Sequence, residues 1–498
     1  MTAPFLEPSR IVPWGAVSVV ALVGIGSWHY MRGRKAPPLP PGPRGLPLIG
    51  NLLDAPTEKH WVKFAELGDI WGDILSLNVF GQTMIIVNSV KVAEDLLDVR
   101  GANFSERPVI PMGGELCGFN NALILSQPQR QNSLPLISTE VQKLLSHIAS
   151  NQAALIDDIR RMTGGIALRI AYGYQLQEGP ERDPLLQMFE TTGHNFSQST
   201  APGAFLVDLI PILRHWPEWL PGGGFHTTAR RWSKQLHETV NAGLEYVRNQ
   251  MNVGTAETSF VSTLLEEKSH EDYLVKWAAA SIEEAGSDTT AAQLEAFFLA
   301  MSIYPDVQMA AQEELERVVG RDRLPDLSDR AQLPYINALC KEVFRWHVAS
   351  PTGVPHRTHE EYIYLRDGNS DPMLIPKDSL IIANIWKMTH DPERYADPLI
   401  FNPSRFITTD GKEAEMDPSR ICFGYGRRIC PGKLLADNIV FLTCSAILSV
   451  FKIFKALENG VVVEPELGQM SGTVSHPLPF KCVVEPRDAR ALALIRSG

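Results

Sequence analysis

The 498-residue chain is poor in cysteine, and none of its cysteines forms a close pair. They stand at positions 117, 340, 422, 430, 444 and 482 with no Cys-x-x-Cys spacing. That excludes a disulfide scaffold and a zinc ribbon as the organising principle and fits reduced thiols facing the cytosol. Positive charge is also short. A formal net charge of -11 argues against the clustered Lys and Arg footprint that phosphate backbones require, so nucleic acid is not an expected partner. No internal repeat or low-complexity tract interrupts the chain, and nothing between Gly50 and the C-terminus reads as an interdomain linker. A chain of this length can therefore bury one large core.

From Ile11 to Met31 charge is missing altogether. The stretch "IVPWGAVSVVALVGIGSWHYM" matches the roughly 20 apolar residues that cross a bilayer as a helix. Trp14 lies at one end and Trp28 and Tyr30 at the other, where interfacial aromatics belong. Arg32, Arg34 and Lys35 follow at once, so the positive-inside bias puts the bulk of the chain in the cytosol. A cleaved signal peptide would carry its charge before a shorter run. On this reading the Asn103 and Asn195 glycosylation triplets never meet the lumen. The expected organisation is a luminal N-terminus over 1–10, a transmembrane anchor over 11–31, a proline-rich spacer over 32–50 and a catalytic domain over 51–498.

Pattern then predicts strands at Ile74–Leu77 and Met84–Val87 and helices over Val90–Val99 and Lys143–Tyr172. A long helix from Asp272 to Tyr304 is stopped by Pro305 and should measure about 48 Å. Short strands are expected around Ile363, Met373 and Leu380–Ala383, and a last helix after Cys430 running toward Phe454. The class is mainly α with a small β-sheet region.

Four short stretches carry chemistry. In "CFGYGRRICPG" Cys430 precedes Pro431, which favours the first turn of a helix. The sulfur thus sits at a helix N-terminus, where the macrodipole and free N–H groups favour a thiolate. Gly426 and Gly432 leave room for a planar group. A buried structural thiol, a redox nucleophile and a metal ligand all fit these features. Glu342 and Arg345 lie three apart on one helical face, which by itself describes a solvated ion pair worth about 0.2 to 0.5 kcal/mol. "EEAGSDTT" places Gly286, Asp288 and Thr289 mid-helix, where glycine costs about 1 kcal/mol and threonine can back-bond one turn earlier. A packing accommodation and a locally opened, functional helix are both open. "PILRHWPEWLPGGGF" sets Trp216, Trp219 and Leu220 among prolines, either as a surface loop with buried aromatics or as a loop that dips into lipid.

Phe423, Gly426, Arg428, Cys430 and Gly432 together resemble the Phe-x-x-Gly-x-Arg-x-Cys-x-Gly signature of the cytochrome P-450 superfamily. The resemblance runs from the anchor to Val483 and implies the cytochrome P-450 fold. It implies Cys430 as the axial thiolate on the iron of haem b (iron protoporphyrin IX), Arg428 at a propionate and Phe423 beside the sulfur. It makes Glu342 and Arg345 a Glu-x-x-Arg pair completed by Arg405, in a structural role. Ala285–Thr290 matches the oxygen-activation stretch, with Thr289 holding dioxygen and its waters and Asp288 relaying protons. "SPTGVPHRT" implies a polar or cationic side chain, His356, near a propionate, and the Trp216–Leu220 segment a membrane-dipping loop.

The implied activity is insertion of one oxygen atom into a lipophilic small molecule. NADPH electrons would arrive through a cytochrome P-450 reductase, with cytochrome b5 as a further donor. Arg427, Arg428 and Lys433 would belong to the docking face. The implied location is the endoplasmic reticulum membrane, single-pass, with membrane lipid as a partner. "YGRRICPG" and "RWHVASPTGVPHRT" are similar to basidiomycete members that serve secondary metabolism or oxidise terpenoids, polycyclic aromatics and other foreign compounds. One departure stands out. The family's Trp-x-x-x-Arg helix has no counterpart: no tryptophan lies between Trp71 and Trp216, and Arg130 is the only arginine between Arg107 and Arg160. A deletion or splice variant around 127–143 would leave that pattern. It motivates one alternative, a silent haem-binding protein; an oxygen-independent isomerase or dehydratase is the other.

Overall fold

The computed structural model describes residues 37–496 apart from 57, 123–133, 152–153, 180, 201–203, 268–270 and 366–371. The anchor expected over 11–31 lies outside the described residues. The principal helices are α1 (His60–Trp71), α2 (Leu134–Ser150), α3 (Leu155–Tyr172), α4 (Pro184–Thr200), α5 (Phe225–Val253), α6 (Asp272–Ile303), α7 (Pro305–Val318), α8 (Pro334–Trp346), α9 (Lys433–Val450) and α10 (Ala489–Arg496).

Helix α6 organises the molecule. Its C-terminal half, Thr290 to Ser302, is buried on every side, the pattern of a helix running through a core rather than along a surface. It packs against α3, α4, α5, α8 and α9. Pro305 ends it by forcing Tyr304 out of the helical region, and the same proline opens α7. On the buried stretch Gln293 Nε2 donates to the His347 carbonyl at 3.0 Å, while its Oε1 is buried without a partner.

A small sheet is built from β1 (Ile74–Val79), β2 (Gln82–Val87), β3 (His356–Arg357) and β6 (Leu380–Ala383) in the order β1-β2-β6-β3. β2 and β6 run parallel, with Met84 opposite Leu380 and Val87 opposite Ala383. β4 (Tyr362–Tyr364) and β5 (Met373–Ile375) form a separate antiparallel pair. β7 (Phe451–Lys455) pairs with β8 (Cys482–Pro486).

Three expectations change. The helix expected over Lys143–Tyr172 is two helices separated at Asn151. The helix expected over Val90–Val99 is a single α turn, Val90–Ala93, followed by a wider π turn, Glu94–Val99. The last helix stops at Val450, because "FKIFK" alternates buried and exposed positions and so pairs as strand β7. From residue 37 onward the proline-rich stretch lies against the domain. The Ser76 N–H donates to the Pro41 carbonyl at 2.8 Å and the Leu374 N–H to that of Pro38 at 2.7 Å. Proline supplies acceptors without donors, which suits a strap lying along a sheet edge.

Candidate active site

The Cys430 loop is closed by its own backbone: the Cys430 N–H donates to the Phe423 carbonyl at 2.8 Å. The turn between them needs two left-handed residues, Gly424 at φ 76° and Gly426 at φ 60°. Gly426 has a second constraint. A Cβ there would lie 1.9 Å from the Leu97 carbonyl oxygen, so this glycine serves the contact between loop and π turn rather than a planar ligand. Gly432 caps α9 at φ -82°, and a Cβ on it would stand 3.8 Å from Cys430 Sγ. Phe423 packs against Phe344 of α8 with ring centroids 5.2 Å apart.

Cys430 lies two residues before α9 and lines a cavity of about 630 Å³. The remaining walls come from α8, the Asp417–Ser419 turn and the first turn of α9, and none of Asp288, Thr289 or His356 contributes. Cys430 is exposed to solvent, yet the loop packed around it raises its thiol above the ordinary value, against the Gly432 and Lys433 N–H groups and the Lys433 charge. The helix terminus alone does not commit the residue to the thiolate form. A bound metal cation would, because coordination deprotonates a thiol outright.

Three basic side chains gather beside this loop. Arg428 Nε donates to the Ser105 carbonyl at 2.8 Å. Arg107 Nη1 donates to the carbonyls of Val354 and Pro355 at 2.6 and 3.0 Å. His356 Nδ1 lies 2.6 Å from the Phe104 carbonyl, which only accepts, so Nδ1 carries the proton. Burial and then Arg428 bring the Arg107 pKa down to about 9. Burial, followed by Arg107 and Arg428, brings His356 down to about 4. His356 is thus the polar, neutral form of the polar or cationic side chain expected there, and the permanent charges are on the two arginines. Crowded, desolvated cations are what an anionic group such as a haem propionate would relieve, so the residues present fit haem.

Across the fold, Thr289 Oγ1 donates to the Ala285 carbonyl at 2.6 Å, the back-bond anticipated for this threonine. Asp288 Oδ1 meets His476 Nε2 at 3.0 Å. Burial by itself would raise the Asp288 carboxyl, but the bond and charge of His476, with Arg160 and His194, hold it below the usual range. Behind the loop, Glu342, Arg345 and Arg405 form a fully buried cluster. Arg345 donates from Nε and Nη2 to the two Glu342 oxygens at 2.7 Å each, and Arg405 Nε reaches Oε1 of the same carboxylate at 3.2 Å. This is no solvated pair: all three residues are at most 1% exposed.

Sequence reading missed two residues. Arg107 stood in plain view in "FSERP", and its neighbourhood is visible only once β3 lies beside that segment. His476, in "VSHPLPF", carries no sequence signal for its meeting with α6. The stretch expected to lack the Trp-x-x-x-Arg helix lies outside the described residues up to 133; from Leu134 the chain is helical as α2.

Similarity to known proteins defines the class as haem-thiolate monooxygenase. The family model for cytochrome P450 matches residues 40–484, and the chain belongs to the cytochrome P450 family. It is 43% identical to "Cytochrome P450 monooxygenase 208" of Postia placenta, over 96% of each chain. It is 42% identical to "Cytochrome P450 monooxygenase claR" of Ampulloclitocybe clavipes, over 97% of this chain and 92% of that one. With "Cytochrome P450 monooxygenase ple1" of Rhodocybe pseudopiperita it shares 35% identity over 97% and 96%.

Proposed function

We propose that this monooxygenase inserts one oxygen atom into a lipophilic secondary metabolite or foreign compound of terpenoid or polycyclic aromatic type. Haem b, when bound, supplies dioxygen activation with NADPH electrons delivered through a reductase. Cys430 would hold the iron, and Arg428 and Arg107 the propionates, with His356 as a neutral neighbour. Phe423 would shield the sulfur, while Gly426 and Gly432 shape the loop around it. Thr289 would orient water and oxygen through a hydroxyl already tied to the Ala285 carbonyl, and Asp288 would accept and pass protons. Glu342, Arg345 and Arg405 would lock the segment before the loop. The observation that carries this reading is the basic cluster beside the thiolate loop, assembled without any contribution from a Trp-x-x-x-Arg pair. The Asp288–Thr289 pair favours oxygen-dependent chemistry over isomerisation.

Electron delivery would come to the face around the 630 Å³ cavity, where Arg330, Lys341, Arg427 and Lys433 stand beside Asp417 and Asp437. Arg428 belongs to the interior rather than to that face, since its Nε is bound to Ser105. Reductase and cytochrome b5 are the proposed partners there. The proposed location is the endoplasmic reticulum membrane, with 1–10 luminal, 11–31 spanning and the domain cytosolic. Trp219 at 81% exposure and Trp216 at 41% suit a loop touching lipid, where amphipathic aromatics gain from the interface. The test is turnover of a terpenoid and polycyclic aromatic panel by microsomes carrying chain and reductase under labelled dioxygen. One labelled atom per product, dependent on NADPH, supports the reading; NADPH-independent turnover without label overturns it.

A further inference from the structure

His476 lies on the Gln469–Pro477 loop, far in sequence from α6, yet it bridges two α6 carboxylates seven residues apart. Nε2 meets Asp288 Oδ1 at 3.0 Å and Nδ1 meets Glu295 Oε2 at 2.9 Å. Ionised carboxylates only accept hydrogen bonds, so a ring facing one on each nitrogen must carry both protons. The loop is itself pinned. His347 Nε2 lies 2.8 Å from the Ser475 carbonyl, its Nδ1 takes the Gln469 amide at 2.9 Å, and the Met470 N–H donates to the His476 carbonyl at 2.8 Å. The His476 side chain is 11% exposed and that of Glu295 5%, so the Glu295 arm is sheltered from water and salt, while Asp288 at 38% keeps contact with solvent.

We propose that His476 is the positioning residue for proton delivery, clamping the Asp288 carboxylate beside Thr289 and supplying the charge that keeps it ready to accept a proton. The inference rests on the relay assigned to Asp288 and Thr289. Titratable groups face the clamp from three helices and the segment after α8. On α6 stand Asp288, Glu295 and Glu283; from α3 Arg160 Nε comes within 3.4 Å of Glu295 Oε1; from α4 His194 and Glu190 act on Asp288 or feel its charge. His347, after α8, is pushed down to about 4 chiefly by burial and in part by the His476 charge. Burial would lower His476 itself, but its bonds to Asp288 and Glu295 outweigh that and bring it up to about 9. Asp288 then has a fixed orientation and a defined ionisation state across the physiological range. Without the clamp the desolvated carboxyl would rise in pKa and turn freely.

Two readouts test this. Ring resonances of isotope-labelled histidine in the full chain, with His476 assigned through His476→Gln, report its titration whether or not haem is loaded. His476 is expected to titrate near pH 9 and to move toward the ordinary value near ~6.5 in Asp288→Asn and Glu295→Gln. Titration at or below that ordinary value in the unmodified chain would overturn the proposal. In loaded enzyme with reductase, His476→Gln should lower product formed per NADPH about tenfold, with hydrogen peroxide rising in its place and the carbon monoxide spectrum unchanged. Glu295→Gln, which preserves shape and leaves the Asp288 bond intact, should give a smaller loss of the same kind. Unchanged product per NADPH in both variants would overturn it. A wild-type chain lacking the thiolate carbon monoxide band would overturn the proposed function instead, and the histidine titration would still be read.

Discussion

Arg345 grips Glu342 through two parallel hydrogen bonds of 2.7 Å, with both side chains fully buried. The carboxylate is shared further with Arg405 Nε and with the Asn402 N–H at 2.8 Å, and Arg345 Nη1 also caps the Thr389 and Pro398 carbonyls. One acid thereby ties α8 to the segment that leads into the thiolate loop.

Removing one partner strands a buried charge. Arg345→Leu or Glu342→Ala is expected to destabilise the domain by about 3–5 kcal/mol and to abolish accumulation of folded protein. Arg345→Lys should fail as well, because an ammonium cannot make the two parallel bonds. Chemical denaturation and soluble yield are the measurements.

Gly426→Ala combines a positive φ with a Cβ placed 1.9 Å from the Leu97 carbonyl oxygen. The loop must shift, and the expected loss is at least about 1–3 kcal/mol together with weaker haem retention. Gly432→Ala meets only an ordinary 3.8 Å contact with the sulfur. It should fold normally and alter the spectrum more than the stability. Comparing haem content after gel filtration separates the two.

Buried neutral histidines set the acid limit. His347 and His356 are brought down to about 4, and His390 to about 3, in each case first by burial. Their folded pKa values lie below the unfolded value, so the unfolded chain binds more protons on the acid side and stability falls with pH. The loss should begin near pH 6.5 and grow toward pH 4, on the order of 3 kcal/mol for each histidine. His476 works in the opposite sense. Its folded pKa is raised, so its contribution is complete below the ordinary histidine value and disappears as pH rises through about 9. Stability measured across that range should fall at both ends, and His476→Gln should flatten only the alkaline side.

Trp219 is 81% exposed, so Trp219→Ala should leave thermal stability within about 0.5 kcal/mol of wild type. Binding of the anchor-trimmed chain to neutral lipid vesicles should weaken measurably. A large loss of stability instead would mean that the loop packs on protein.

The thiolate loop was legible in sequence because its five marker residues fall within ten positions, and local turn chemistry dictates their order. Helix α6 was legible because its apolar run ends at a proline. The Glu342–Arg345 spacing was visible but not its burial, which depends on Arg405 and the Pro398–Asn402 backbone arriving from elsewhere. His476 was not legible at all, since a lone histidine between serine and proline says nothing about which carboxylates a distant helix presents. Whether His356 would be the polar or the cationic kind of side chain was not legible for a related reason. Its pKa is set by burial and by Arg107 and Arg428, neighbours that only the assembled sheet brings near. Proline content suggested an extended spacer but not that the carbonyls of Pro38 and Pro41 would serve as acceptors for two strands.

The most direct test of a Cys430 thiolate holding haem in this fold is the carbon monoxide difference spectrum of the reduced full-length chain in microsomes. A strongly red-shifted Soret band, lost in Cys430→Ser, is the predicted result and would show that the chain holds haem through this thiolate although its sequence lacks a Trp-x-x-x-Arg pair. A band typical of neutral thiol or histidine ligation, or the absence of haem, would contradict it.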